Sequence, residues 1–295
     1  MAAKKRVNYF VVDAFADSAF KGNPAAVCFL DDDNQRDDAW LQSLATEFNL
    51  SETCFLTPIS EDRGFPRFRL RWFTPVAEVD LCGHATLASA HVIFSNGLVD
   101  SQVVEFATRS GILTATRLPL TSELKDDNEE EPTFLIELNF PVVPTCEFNS
   151  TISDLSLFSK ALNGATIVDV KATEKDILVV LSSWESVTEL EPRLDEILKC
   201  PCEGMMVTAA ASAGSSYDFC SRYFAPKFGI NEDPVTGSAH CALAHYWSTK
   251  MNKFDFLAYQ ASSRGGTLKV HLDKEKQRVL LRGKAITVME GCVLV

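Results

Sequence analysis

One segment of this chain occurs twice. Arg71 to His91, RWFTPVAEVDLCGHATLASAH, reads as a strand, an irregular loop and a helix opening at Gly83-His84. Arg222 to His245, RYFAPKFGINEDPVTGSAHCALAH, has the same plan. Arg71-Trp72-Phe73-Thr74-Pro75 aligns with Arg222-Tyr223-Phe224-Ala225-Pro226, and Gly83-His84-Ala85 with Gly237-Ser238-Ala239. Ala88, Ala90 and His91 align with Ala242, Ala244 and His245. A repeat of this length implies two similar domains. Each presents one loop and one helix N-terminus, and the two are expected to face each other across a cleft.

The repeated helices carry a second constraint. Residues 84–98 contain no Asp, Glu, Lys or Arg, and neither do residues 237–249. A helix without a charged face must be enclosed by other structure. The simplest enclosure is the sheet of its own half. Strand patterns outnumber helical ones, and regular βαβ alternation is missing, which argues against a doubly wound sheet. The expected fold class is α/β (α+β). It has two pseudo-symmetric domains, each a mostly antiparallel or mixed sheet wrapped around a central buried helix, with the active site in the interdomain cleft. Residues 121–132 (TSELKDDNEEEP) are strongly acidic and end in proline, as an exposed boundary loop would be. The expected domains are 1–124 and 125–295, with the last strand able to pack back on the first. Asp37 or Asp38 should cap a helix ending near Phe48. Val187 to Leu198 reads as one amphipathic helix, and Ala285 to Leu294 as a closing strand bent at Gly291.

Composition narrows the class of function. The 295 residues are 46% hydrophobic and 23% charged, as in a soluble globular protein. The net charge of −12 argues against nucleic acid, which demands a basic stripe, but leaves room for a small anion at one local site. No run reaches the ~18 apolar residues of a membrane span. The N-terminal MAAKKRVNYF lacks the apolar core of an export signal. Nine scattered cysteines then read as reduced thiols of a cytoplasmic protein. Cys200-Pro201-Cys202 has no second pair to complete a zinc site.

Helix N-termini carry unpaired N–H groups and partial positive charge. Gly83-His84 and Gly237-Ser238 are two such ends, where a small carboxylate could approach the backbone. His84 opens its helix, and Asp233 precedes Pro234-Val235-Thr236-Gly237-Ser238. A caps-only reading accounts equally for an Asp or Ser at such a place. Glu52, in Leu50-Ser51-Glu52-Thr53-Cys54-Phe55-Leu56, precedes an apolar run. Desolvation there would suit it to general acid/base work. His91 and His245 fall deep in the enclosed helices and read as core residues. His240 and His245 are five apart, not the four of a helical metal pair.

These motifs resemble the PhzF-like family of phenazine-biosynthesis-like isomerases. The matching segments are Asp13-Ala14-Phe15, Gly22-Asn23-Pro24-Ala25-Ala26-Val27, Asn49-Leu50-Ser51-Glu52-Thr53, Arg71 to Pro75 and Cys82-Gly83-His84-Ala85-Thr86. Arg222 to Pro226 and Glu232 to Ala239 match in the second half, with Gln260 and Arg264-Gly265-Gly266 a looser match. The resemblance implies the diaminopimelate-epimerase-like fold and a homodimer. It implies Glu52 as the group that moves a proton between carbons of a compound such as dihydro-hydroxyanthranilate, with His84 and Asp233 beside it in the catalytic set. Asn23, Thr74, Gly83, Thr236, Gly237 and Ser238 are the implied substrate-binding residues. No metal and no organic cofactor is implied. The epimerases of this fold oppose two cysteines, and here Cys82 matches one while Pro234 stands at the other. The first expectation is therefore a cofactor-independent isomerase acting on a small cyclic or amino-acid-like carboxylate. The alternatives are an epimerase or racemase using Cys82, and a non-catalytic interaction or regulatory protein.

Overall fold

The computed structural model describes residues 6–31, 36–59, 64–119, 134–148 and 152–294. The acidic segment 121–132 lies outside the described residues. The chain divides into two compact units, Met1–Phe140 with Arg282–Val295, and Pro141–Leu281.

The first unit opens with strands β1 (Arg6–Ala14) and β2 (Asn23–Phe29), then helix α1 (Asp38–Phe48). Strands β3 (Glu52–Ile59), β4 (Arg67–Phe73) and the short β5 (Glu78–Val79) lead to helix α2 (Gly83–Ser95). Strands β6 (Val103–Thr108), β7 (Gly111–Pro119) and β8 (Phe134–Pro141) follow. Strand β2 runs parallel to β3, β3 antiparallel to β4, and β6 antiparallel to β7. One edge of β4 is shared: β5 pairs antiparallel with Trp72 and Phe73, and β6 pairs parallel with Arg67 to Arg69. The β7–β8 ladder is why the division falls after Phe140, later than a boundary at the acidic segment.

The second unit repeats that plan. Its strands are β9 (Cys146–Glu147), β10 (Ile167–Ala172), β11 (Ile177–Leu181), β12 (Met205–Ala210), β13 (Phe219–Ala225), β14 (Ile230–Asp233), β15 (Asp255–Gln260), β16 (Gly266–Asp273) and β17 (Arg278–Gly283). Its helices are α3 (Ile152–Ala161), α4 (Trp184–Thr188), α5 (Leu194–Ile197) and α6 (Gly237–Met251). Strand β11 is parallel to β12, which is antiparallel to β13. Strand β13 shares its far edge between antiparallel β14 and parallel β15, just as β4 does. Even the side chains recur. Arg71 grips Glu78 and lies over the Phe73 ring, while Arg222 grips Glu232 and lies over Phe224.

Each unit encloses its repeated helix. Every residue of α2 from Gly83 to Phe94 is buried, and α2 packs on β1, β2 and β3. Helix α1 covers the opposite face, with Leu41, Leu44 and Ala45 against Cys28, Phe55 and Phe73. Strands covered on both faces read as continuous apolar runs, which explains Val11-Val12 and Ala25 to Cys28. In the second unit α3, α4 and α5 supply the equivalent cover, packing on Val179, Val207 and Phe224.

Three details depart from the sequence reading. Val187 to Leu198 is not one helix but the separate α4 and α5. Pro192 lacks an N–H and disfavours helical backbone at Glu191, so the helical pattern cannot run through it. The last strand, β18 (Ala285–Leu294), pairs with β1 throughout and is not bent at Gly291, which faces Tyr9. Its irregularity lies at Val288, between partners of Val11 and Val12. Gly291 instead makes room for a ring, since a Cβ there would sit 2.9 Å from the Tyr9 hydroxyl. His245, expected in the core, is only half-buried, and its Nδ1 accepts from the Thr145 backbone N–H at 3.1 Å.

Candidate active site

Among the described residues, α1 and α4 begin on a side-chain cap, whereas the short α5 does not. Asp37 caps α1 through the Trp40 N–H, and Ser183 caps α4 through the Ser186 N–H. The two enclosed helices differ. Neither Cys82 at the start of α2 nor Thr236 at the start of α6 makes a side-chain cap. The N-cap side chain therefore takes up none of their first backbone N–H groups.

At the mouth of α2, five side chains form a network of polar contacts. Ser51 Oγ donates to Asn23 Oδ1 at 3.0 Å. That fixes the amide, so Asn23 Nδ2 donates to His84 Nδ1, also at 3.0 Å. Cys82 Sγ lies 3.4 Å from the same ring nitrogen. With Nδ1 accepting, the neutral ring carries its proton on Nε2. His84 Nε2 lies 3.0 Å from Glu52 Oε2, in contact though not aligned as a straight hydrogen bond. Glu52 is 8% exposed and His84 3%. The carboxylate is thus nearly enclosed and faces an imidazole whose donor side is set by its neighbours.

Local backbone explains how Asn23 reaches this place. The β1–β2 connection holds three left-handed residues, Phe15 at φ 58°, Phe20 at 68° and Gly22 at 63°. A Cβ at Gly22 would sit 2.2 Å from the Ala14 carbonyl oxygen, so only glycine fits. Asp13 steadies the turn by accepting from the Phe20 N–H at 2.6 Å. Asn23 then starts β2 fully buried. Left-handed non-glycine residues carry strain that clusters at functional sites.

The second unit builds its mouth differently. Thr236 Oγ1 donates to Asp233 Oδ2 at 2.5 Å. Gln260 clamps the loop from both sides: its Oε1 accepts from the Thr236 N–H at 2.8 Å, and its Nε2 donates to the Asp233 carbonyl at 2.7 Å. Ser262 Oγ adds a bond to the Pro234 carbonyl. Gly237 is buried and Ser238 exposed. Behind them His240 is fully buried and its Nδ1–H donates to the Thr236 carbonyl, 2.8 Å away; burial pushes its pKa down to about 4.

The structure therefore gathers Glu52, His84, Gly83 and Asn23 at one helix mouth, and Asp233, Thr236, Gly237 and Ser238 at the other. Asn23, expected to bind substrate, is fully buried and donates to His84. Thr74, expected beside it, has its Oγ1 accepting from the N–H groups of Val76 and Ala77, which shapes the loop after β4. Two residues escaped the sequence-derived set. Ser51 lay in the Ser51-Glu52-Thr53 motif, next to the candidate base. Gln260 lay in a motif that gave no hint of its reach to Thr236.

The profile of the phenazine biosynthesis-like (PhzC-PhzF) family matches residues 12–291. The chain belongs to this family. An uncharacterized isomerase of Halalkalibacterium halodurans is 44% identical over 288 residues, covering 97% of each chain. The crystal structure of a PhzF-family phenazine biosynthesis protein from Enterococcus faecalis superposes with a TM-score of 0.83 at 36% identity, covering 99% of this chain and 100% of that one. A hydroxyproline epimerase from Agrobacterium vitis shares the fold alone, with a TM-score of 0.63 at 12% identity and coverage of 100% and 94%. Membership supports a general isomerase function. Among the described residues no helix is long and apolar enough to cross a membrane.

Proposed function

We propose that this protein isomerises a small cyclic or amino-acid-like carboxylate by moving a proton from one carbon to another, with Glu52 as the single acid/base. The observation that carries the reading is the Glu52–His84 contact of 3.0 Å at an uncapped helix mouth. Glu52, ionised, takes a proton from a carbon made acidic by the substrate's own unsaturation. Its acid form returns that proton at a second carbon on the same face. His84 holds one carboxylate oxygen through its Nε2 proton and leaves the other to carry the substrate's proton. Its contact straightens as substrate closes the site, as catalytic hydrogen bonds commonly do. The N–H groups at the start of α2, where the N-cap side chain makes no bond, receive the substrate carboxylate or the charge that develops on it.

A second reading has its own support. Cys82 Sγ is 3.4 Å from the His84 ring, close enough for the imidazole to draw the thiol proton. An epimerase would use that thiolate as a base at a stereocentre.

One experiment separates them. Small cyclic carboxylates, dihydro-hydroxyanthranilate among them, are incubated with wild type, Glu52→Gln and Cys82→Ser in H2O and D2O. Products are followed by chromatography and mass spectrometry. The isomerase reading expects a constitutional isomer whose formation drops about 10²–10⁴-fold in Glu52→Gln. A stereoisomer carrying solvent deuterium, abolished in Cys82→Ser, would transfer the assignment to the epimerase.

A further inference from the structure

The mouth of α2 holds a buried group that the proton shift leaves idle. Cys82, 7% exposed, lines the same small space as Glu52 and His84. One ligand atom from each of the three lies within 4.8 Å of the others. Thiolate sulfur, imidazole nitrogen and carboxylate oxygen are together the donor set of zinc. Magnesium and calcium prefer all-oxygen cages and would reject the sulfur and nitrogen. Tetrahedral zinc, with bonds of about 2.0–2.3 Å, spaces its ligand atoms about 3.3–3.6 Å apart. The Glu52 Oε2 to His84 Nε2 separation of 3.0 Å is already near that value, while Cys82 Sγ lies 3.4 Å from Nδ1 and must rotate about its Cα–Cβ bond towards Nε2 to share the ion.

We propose that Glu52, Cys82 and His84 form a zinc site, binding one Zn2+ through Oε2, Sγ and Nε2 with water as the fourth ligand. The surroundings can follow the change. Zinc on Nε2 requires the ring proton on Nδ1, where it must meet an acceptor. Turning the Asn23 amide presents Oδ1 to Nδ1–H, and the amide Nδ2 then donates to Ser51 Oγ, which rotates to accept it. Protons balance simply: the imidazole keeps one proton, moved from Nε2 to Nδ1, and the Cys82 thiol releases one to solvent. Binding therefore tightens as pH rises. On the isomerase reading zinc is an inhibitor, because Oε2 and the His84 donor are taken from the reaction. The binding itself does not depend on that reading.

The test measures metal alone and needs no substrate. Apo protein is titrated with Zn2+ against a chromogenic chelator, and with Co2+ as a spectroscopic stand-in. Wild type should take one equivalent and show the thiolate-to-cobalt charge-transfer band. Cys82→Ser should lose the band and bind zinc at least about 100-fold more weakly, while Asn23→Ala, which touches no metal, should weaken it about 10–100-fold. A band that survives in Cys82→Ser would place the metal at the exposed Cys146 or Cys292 and overturn the proposal. Wild type binding zinc no better than Cys82→Ser would overturn it equally. Turnover assays play no part, so loss of the isomerase reading and loss of the zinc site are told apart.

Discussion

Asn23 and His84, 61 positions apart, meet through a buried 3.0 Å hydrogen bond from the Asn23 amide to the His84 ring. The direction of that bond is set one step further back, by the Ser51 hydroxyl on Asn23 Oδ1. The consequence is chemical. A neutral His84 must present its proton at Nε2, towards Glu52. Nitrogen-15 NMR of the imidazole should show the Nε2–H tautomer in wild type. Asn23→Asp replaces the donor by an acceptor and should put a proton on Nδ1, in either the neutral or the charged ring. Turnover of an identified substrate should fall about 100-fold or more, the scale of one misplaced acid/base group. An unprotonated Nδ1 in Asn23→Asp would show that Asn23 does not control the ring.

The matched arginines of the repeat should not be equal in stability. Arg71 binds Glu78 through two bonds of 2.7 Å and reaches Asp38, which is exposed. When Arg71 is lost, Glu78 keeps Arg109 at 2.5 Å. Arg222 binds Glu232 and also donates to the carbonyls of Leu190 at 2.6 Å and Val187 at 3.3 Å, where α4 ends. Arg71→Met should therefore cost about 1 kcal/mol and Arg222→Met about 3 kcal/mol. Urea denaturation of the two variants checks the order.

The repeat and the missing charges were enough to read two units with enclosed helices, because both facts are local and periodic. What stayed hidden depends on contacts distant in sequence. Nothing in the pattern of Gln260 says that it holds Thr236, 24 residues away. Asn23 was named through the family resemblance alone; its burial against His84 follows only once β1, β2 and α2 are packed. The short strands β5, β9 and β14 were unreadable for a different reason. Two to four residues carry too little alternation, and β14 is formed by Ile-Asn-Glu-Asp, residues that mostly avoid strands. The two-helix break at Pro192 was legible, and the amphipathic spacing of Val187 to Leu198 masked it.

Two buried histidines predict acid sensitivity. Burial pushes His91 and His240 down to about 4 each, below the ordinary 6.5. The unfolded chain protonates them near pH 6.5 while the folded chain keeps them neutral. Between those values the unfolded state binds more protons, so stability is lost as pH falls from 6.5 towards 4. Each histidine contributes about 1.4 kcal/mol per pH unit, or about 2 kcal/mol between pH 6.5 and 5. His91→Gln, which can still reach the Thr287 hydroxyl, should reduce the slope measured by thermal or urea unfolding. A slope unchanged in that variant would mean that His91 is protonated in the folded state.

Gln260 should hold the start of α6 in shape. It is 1% exposed, and its amide closes both open ends of the Asp233–Thr236 loop. Gln260→Leu keeps much of the volume and removes both partners. The Thr236 N–H and the Asp233 carbonyl are then left without their side-chain partner inside the protein, at about 1–3 kcal/mol each. Gln260→Glu retains an acceptor for Thr236 but buries a carboxylate against the Asp233 carbonyl, so its stability cost should be at least that of Gln260→Leu. The local hydrogen bond should report the opposite order. Hydrogen exchange at the Thr236 amide reads the local opening, since the amide is protected only while Gln260 Oε1 accepts from it. Protection should be lost in Gln260→Leu and largely kept in Gln260→Glu. Equal protection in all three proteins would mean that the α6 mouth is held by its backbone, and that Gln260 only fills space.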